Sequence, residues 1–431
     1  MSRDVQPLSA VDAAWLRMDR PTNLMMITSL VEVEGRLSRE ALEAVIRDRL
    51  LRHPRFVQRV DERGLRARWV PDGAFSLANH VHEVGLPAPG GDAALRALVS
   101  DLASTALERS HPLWQVHLVD RGDGRSAVVV RLHHCLADGV ALIRLLLELT
   151  DHGETHVRDV GPPPGHGAAT WARNVVEGAG RIARILMMQP DPATAIHGKL
   201  GPRKQLAWSA PVRQAALVEA AHAVGGTLND LLVAAITGAL RGYLESRAAM
   251  APGLEVRALM PVNLRRALAD GDGDGAGNRF GLVFVPLPLS EPTPARRLLA
   301  VHARMEEVKS SPEAVAAFGV IGAMGLASAA VERFGIELFT RKATVLITNV
   351  PGPSSDVRLA GHRVRGLVAW APASGAVGMT MSLVSYGGEV RLGVSGDERL
   401  VPDPDALAAR FVDEVRRLAP GACASDGASP G

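Results

Sequence analysis

The sequence predicts an α+β or α/β protein of two lobes, on three observations. The chain has 431 residues, more than one ordinary domain and comfortable for two of about 200. Strand and helix patterns are mixed in both halves rather than segregated, which points to sheets covered by helices. A run Gly161-Pro162-Pro163-Pro164-Gly165 interrupts the middle, and such a run ends one folded unit and begins a crossover. The expected division is 1–160 for a first lobe, 161–209 for the crossover, 210–420 for a second lobe and 421–431 for a loose tail.

The first lobe reads in order. Met26 to Glu34 alternates, with Ile27, Ser29, Val31 and Val33 on one face, and predicts a strand. Ser38 is an N-cap candidate for a helix whose stripe is Leu42, Val45, Ile46 and Leu50, stopped at His53-Pro54. Leu95, Leu98 and Leu102 mark a second helix from about Asp92 to Glu108. Trp114–Val119 and Ser126–Leu132 are two strands, and Gly122-Asp123-Gly124 between them is a hairpin signal. The chain turns after His133 and continues as an apolar helix from Val140 to Leu149.

In the crossover, Trp171 to Met188 sets Arg173, Arg181 and Arg184 against Val175, Ile182 and Leu186. Two readings stand, packing between lobes and contact with a membrane surface. The second lobe begins near Ala210. A helix runs from Leu228 to Tyr243, and strands are expected at Glu255–Met260, Gly281–Leu287, Ala343–Asn349, Met379–Tyr386 and Glu389–Val394. A helix over Asp405–Leu418 closes the fold. Ala314 to Val331 carries no charge over 18 residues. It sits at the lower length limit of a membrane span, but its Ala and Gly are weakly apolar, so a buried helix, or one shaping an apolar tunnel, is the better reading.

Composition excludes several classes. Hydrophobic residues are 47% and charged residues 22%, so the chain is neither disordered, collagen-like nor a coiled coil. The net charge of +2 argues against a broadly basic nucleic-acid binder. Two cysteines, Cys135 and Cys423, are too few for a disulfide framework and fit a reducing compartment. The first residues lack a basic stretch followed by an apolar one, so no signal peptide is expected.

Several motifs fail on spacing. Asp270, Asp272, Asp274 and Gly275 resemble the front of a calcium loop, but Gly281 stands where the bidentate Glu belongs. The same glycine-rich stretch has no dinucleotide frame, and Gly393-Val394-Ser395-Gly396 is not a nucleophile elbow. No HExxH appears, and no metal site is expected.

One constellation survives. His133-His134-Cys135-Leu136-Ala137-Asp138-Gly139 places a histidine pair at the end of a strand, with Asp-Gly ahead of an apolar helix. An imidazole at a strand end can face a cleft, and its ordinary pKa near neutrality suits general-base work. Asp138 is placed to pair with an arginine and brace the turn, and Gly139 frees the backbone to enter the helix. The competing reading is that both histidines are satisfied structural groups.

His133 to Gly139 resembles the HHxxxDG motif of the CoA-dependent acyltransferases, the superfamily of chloramphenicol acetyltransferase and peptide-synthetase condensation domains. The rest of the chain narrows the likeness to the bacterial wax ester synthase/diacylglycerol acyltransferase family. Pro7-Leu8-Ser9 with Asp12 and Ala13 resembles its opening, Pro112-Leu113-Trp114 its PLW motif and Asn229-Asp230 its ND motif. Pro261 to Arg265, Gly277-Asn278-Arg279, Asn349 to Pro353, Ser385-Tyr386-x-Gly388 and Pro402-Asp403 resemble further blocks, in order along nearly the whole chain. Cys135 departs from the pattern, where Ala is usual.

The resemblance implies an α/β sandwich of two chloramphenicol-acetyltransferase-like lobes with the active-site tunnel between them. It implies acyl transfer from acyl-CoA, as co-substrate and without a cofactor, to a long-chain alcohol or diacylglycerol. His134 is then the general base, His133 a support of the loop and Asp138 an orienting group, with Arg265 as its candidate partner. Asn229 is the candidate donor to the oxyanion, against the alternative that Asn229-Asp230 caps a helix. Asn349 reads as a site or a turn residue, and Trp114 as core packing before substrate contact. Pro112 belongs to the same motif. The implied setting is the cytoplasm, with the inner membrane or lipid inclusions as peripheral surfaces, and no nucleic-acid partner. The competing functions are a related transferase with a different alcohol or amine acceptor, and a catalytically silent lipid-binding homologue.

Overall fold

The structure, a computed structural model, describes residues 5–63, 66–136, 145–151, 187–263, 280–309 and 329–423. Two large sheets frame it. The first has six strands in the order Arg358–Leu359, His362–Trp370, Met26–Val33, Ser126–His133, Trp114–Asp120, Val81–Gly85. Its neighbours are antiparallel except the last pair. The expected hairpin is present. Gly122 and Gly124 both sit at φ +79°, a left-handed conformation that favours glycine. The Asp120 and Asp123 side chains accept from the Gly122 and Arg125 N–H groups at 2.9 and 3.1 Å.

Met26–Val33 reads in the sequence as a one-faced strand, but it is buried on both faces. Ile27, Val31 and Val33 pack with Leu42, Val45 and Ile46 of helix Arg39–Arg49, while Leu30 packs with Leu95 and Val99 of helix Gly91–Ser104. Helices on both sides leave a central strand no solvated face. The first of these helices starts as expected, with Ser38 Oγ accepting from the Ala41 N–H at 3.2 Å. It gives way to short 3₁₀ turns, Leu50–Arg52 and Pro54–Phe56, around His53-Pro54. The second ends at Ser104, short of the expected Glu108. Thr105 is extended (φ −104°, ψ 125°), its hydroxyl donates to Asp101 O at 2.9 Å, and its carbonyl accepts from buried Arg131.

The second sheet runs Phe280–Leu287, Val256–Asn263, Val345–Pro351, Met379–Tyr386, Glu389–Asp397, Lys204–Trp208, with Val212–Arg213 beside Glu389–Asp397. Helices Leu228–Ser246, Pro294–Lys309 and Pro404–Leu418 share one apolar cluster with it, in which Ile236, Val301, Phe411 and Met381 are all buried. Of the strands expected here, Met379–Tyr386 is found with the expected ends and the others with shifted ends.

One strand crosses between the halves. His362–Trp370 comes late in the chain, yet it pairs with Met26–Val33 in the first sheet. Residues expected in the second lobe therefore complete the first. The Trp370 indole donates to Ala207 O at 3.0 Å, and its ring meets Trp208 edge-on at 5.9 Å. Glu32 accepts from Arg121 at 2.9 Å and from Arg391 at 2.5 Å, joining both sheets through one carboxylate. Buried Asn23 donates to Gly375 O and Val377 O at 3.0 and 3.1 Å.

Of the helix expected from Val140, residues 145–148 are described and helical. Asp138, Gly139 and Arg265 lie outside the described residues, as do the acidic loop 270–275, Gly277-Asn278-Arg279, residues 424–431, most of 171–188 and most of 314–331. Among the described residues, no helix is long and apolar enough to cross a membrane.

The Asn23 bridge gives a test of the seam. Asn23→Ala strips two buried carbonyls of a donor, and an unmet buried polar group costs about 1–3 kcal/mol. The urea unfolding midpoint should fall accordingly, with the slope unchanged; an unaltered midpoint would show that Asn23 does not tie the halves.

Candidate active site

The histidine pair is built by the sheet. Strand Ser126–His133 pairs Met26 with His133, so the pair emerges beside the segment whose Asn23 reaches the other half. The His133 N–H donates to Leu113 O at 2.9 Å and the His134 N–H to Met25 O at 2.7 Å. Both histidine backbones are thereby held before any side chain is considered. Leu113 lies in Pro112-Leu113-Trp114, so that motif supports the pair through a carbonyl. Pro112 is buried, and its own carbonyl accepts from the Trp114 N–H at 2.9 Å.

Trp114 is a core residue. It is 1% exposed, its indole donates to Phe56 O at 2.9 Å, and its ring stacks on His80 at 4.4 Å. The core-packing reading of this tryptophan is the one the structure supports.

The two imidazoles differ in environment. His133 accepts the Cys135 N–H on Nδ1 at 3.2 Å, which puts its proton on Nε2. That Nε2 lies 3.9 Å from Asp19 Oδ2, beyond hydrogen-bond range. Burial, with Arg109 and His134 adding to it, pushes the His133 pKa down to about 3. His133 is therefore neutral near pH 7 and unsuited to carrying a proton in a reaction cycle. His134 is buried with its ring stacked on Trp15, centroids 4.4 Å apart and planes at 28°. The indole fixes the plane in which the imidazole edge points.

An Asp–Arg pair does stand behind the histidines, but it is not one the sequence suggests. Asp19 accepts from the Met25 N–H at 2.8 Å and from Arg109 at 3.2 Å, while Arg109 also donates to Leu16 O and to Glu62. The Asp138–Arg265 pairing falls on residues outside those described. Asp19, Arg109 and Trp15 are far in sequence from the motif they touch, and no local pattern marks them. Cys135 is fully buried, and burial holds its thiol pKa well above the ordinary value. A thiol so placed is a small apolar filler, not a nucleophile.

The Asn229-Asp230 pair divides into two roles. Thr227 caps helix Leu228–Ser246 in a reciprocal box with Asp230, whose carboxylate accepts from the Thr227 N–H at 2.9 Å and faces His302 Nδ1 at 2.9 Å. Of the two, it is buried Asp230 that takes part in the capping box. Asn229 is left half-buried on the first turn, with Oδ1 accepting from Asn349 Nδ2 at 3.4 Å. Asn349 stands on strand Val345–Pro351, and the contact brings together two amides that the sequence reading treats separately. An amide whose oxygen is engaged presents its N–H₂ side, which suits a donor to developing negative charge. Among the described residues, no group of three or more His, Cys, Asp or Glu is arranged to hold a metal ion.

The neutral histidines set a stability trend. His117, like His133, is pushed down to about 3, by burial first and then by Arg131 and His82. An unfolded histidine titrates near 6.5. Between about 6.5 and 3 the unfolded chain therefore holds more protons, so stability falls as pH falls through that window. The urea midpoint should drop between pH 7 and pH 5, and less steeply in His117→Asn; equal slopes in variant and parent would contradict this source.

The chain resembles known proteins over nearly its whole length. Residues 8–267 match the wax ester synthase/diacylglycerol acyltransferase catalytic domain, and residues 276–419 match the WS/DGAT C-terminal domain. Among similar sequences are two Mycobacterium tuberculosis proteins named as diacylglycerol O-acyltransferases. One is 28% identical over 95% of each chain, the other 30% identical over 96% of this chain and 90% of its own length. Among solved structures, the wax ester synthase/diacylglycerol acyltransferase of Marinobacter aquaeolei VT8 superposes with a TM-score of 0.71 at 23% identity, covering 96% of this chain and 98% of that one. The first condensation domain of the calcium-dependent antibiotic synthetase gives 0.61 at 16% identity, covering 97% and 96%, a likeness of fold. The chain belongs to the wax ester synthase/diacylglycerol acyltransferase family of acyltransferases.

Proposed function

We propose that the protein moves a fatty acyl group from acyl-CoA to a long-chain alcohol or a diacylglycerol, giving wax ester or triacylglycerol, with His134 as the general base. The observation that carries the base assignment is the contrast within the pair. His133 is held neutral, with Nδ1 occupied by the Cys135 N–H, while His134 is pinned at Met25 O and oriented flat on Trp15. His134 takes the hydroxyl proton as the alcohol oxygen attacks the thioester carbonyl. The C–O bond forms, the carbonyl electrons collect on oxygen, and their return breaks the C–S bond. His134 then gives the proton to the departing thiolate. Proton transfer of this kind contributes about 10²–10⁴ in rate. No covalent enzyme intermediate and no cofactor beyond the thioester enters the scheme.

In this reading the Asn229 amide, turned by Asn349, donates to the tetrahedral oxyanion. His133 positions the turn, and Asp19 with Arg109 supports it from behind. Asp138 and Gly139 keep the structural roles that the family pattern implies, and Arg265 remains the proposed partner of Asp138. The chain works in the cytoplasm, with access to hydrophobic substrates at the inner membrane surface or at lipid inclusions.

Thiol release from palmitoyl-CoA tests the reading, with hexadecanol, a diacylglycerol or no acceptor. CoA release should depend on acceptor, and mass spectrometry should find the corresponding ester. Release without ester, or none with either acceptor, would contradict this substrate class and turn the search to other alcohols and amines. Asn229→Ala should lower kcat by about 10²–10³, the usual loss for one oxyanion donor. A change confined to KM would instead make Asn229 a binding residue.

A further inference from the structure

One buried nitrogen of the histidine pair, His133 Nε2, meets no hydrogen-bond partner among the described residues. His133 is 3% exposed. Its other ring nitrogen accepts the Cys135 N–H at 3.2 Å, so the ring carries its proton on Nε2. A buried donor is costly to leave unmet. His133 lines a small cavity, with Asp19 and Arg109 as its other polar walls and Leu24, Met26 and Leu113 among the apolar ones. The cavity leaves about 10 Å³ for the centre of a water-sized sphere. That is about what one water needs, together with two to four polar partners. Nε2 stands 3.9 Å from Asp19 Oδ2, too far for a direct bond and a separation that one water bridges. Two bonds of about 2.8 Å span that gap with an angle of roughly 90° at the water oxygen.

Asp19 is itself fixed. Its Oδ1 accepts the Met25 N–H at 2.8 Å, and its Oδ2 accepts from Arg109 at 3.2 Å. Arg109 is anchored in turn by Leu16 O at 3.1 Å and Glu62 at 2.9 Å. Met25 O accepts the His134 N–H at 2.7 Å. The two oxygens of one carboxylate therefore serve the two histidines by different routes. Oδ1 reaches His134 through the Met25 peptide, and Oδ2 faces His133 across the cavity.

We propose that one buried water in this cavity accepts the His133 Nε2–H and donates to Asp19 Oδ2, and that Asp19 is a positioning residue for both histidines. The water fixes one end of the His133 ring as the Cys135 N–H fixes the other. Asp19 touches no reacting atom in this arrangement; it acts on His134 through the Met25 carbonyl. The expected effect on turnover rests on the acyl-transfer reading with His134 as base, but the water and its partners do not.

Two measurements on the unmodified full chain test the water. A crystal structure fine enough to show ordered waters should place one within about 3.2 Å of both His133 Nε2 and Asp19 Oδ2. A direct bond between those atoms, or no ordered water between them, would overturn the site. The ¹⁵N spectrum of histidine-labelled protein, assigned through His133→Asn and His134→Ala, should show the His133 proton on Nε2; a proton on Nδ1 would overturn the donor assignment. Variants of Asp19 then test the positioning role. Asp19→Asn keeps an oxygen for the Met25 N–H and sets an amide donor where the water needs an acceptor, while Asp19→Ala removes both. With palmitoyl-CoA and hexadecanol, kcat should fall about tenfold or more in Asp19→Ala and about threefold or more in Asp19→Asn, with KM unchanged, because a misplaced base slows the chemical step and not substrate binding. Asp19→Ala added to His134→Ala should cost nothing further. An unchanged kcat in folded Asp19→Ala, or a full extra loss in the double variant, would overturn the role. Asp19→Ala should also shift the His134 ring signals whether or not the chain turns over. A parent without transferase activity would contradict the acyl-transfer reading alone, and unmoved His134 signals would then overturn the positioning. If Asp19→Ala does not fold, Asp19→Asn decides the role by the same split between kcat and KM and the same signals.

Discussion

The pairing of Met26–Val33 with two partners governs this structure. On one edge the strand holds Ser126–His133, with Met26 opposite His133; on the other it holds His362–Trp370, with Thr28 opposite Trp370. A single strand therefore fixes where the histidine pair emerges and binds a late piece of the chain to the first sheet. Register in a sheet is specified by burial, because a one-residue slip turns every side chain to the other face. Here both faces are buried, so a slip would misplace Leu30 and Ile27 together. The same strand carries Glu32, whose carboxylate meets arginines from both halves.

From that constraint the two imidazoles of the pair receive different environments. Two adjacent histidines at a strand end cannot share one environment, since alternation sends neighbours apart. His133 goes where Arg109 and burial keep it neutral and where Cys135 occupies its Nδ1. His134 goes against Trp15, a buried residue of the first lobe's apolar cluster. The support around them is assembled from distant segments: the PLW carbonyl and Met25 O each accept one histidine N–H, and Asp19, paired with Arg109, holds the Met25 N–H. The scaffold thus supplies position and protonation state, and the proposed reaction asks little more of it than a base and an amide donor.

Much of this was legible in local sequence. Ser38 as a cap, the Gly122-Asp123-Gly124 hairpin and the stop near His53-Pro54 all depend on residues close in the chain, and all appear as expected. What was not legible depends on distance. Nothing between His362 and Trp370 announces a partner at Met26–Val33. The early end of helix Gly91–Ser104 depends on Arg131, a residue of another strand. The histidine motif was readable as a motif, but Asp19, Arg109 and Trp15 were not, because their role exists only after folding. The Asn229-Asp230 pair shows both limits. Its capping role was foreseen as an alternative, whereas the division of labour between the two residues required the contacts of Thr227, His302 and Asn349.

The most direct measurement is turnover by His134→Ala, with folding checked by circular dichroism and with imidazole added back. Removing the base should lower kcat by about 10²–10⁴ while the spectrum is preserved, and free imidazole should restore part of the loss. A folded variant that turns over at the parent rate would contradict the assignment of the proton transfer to His134.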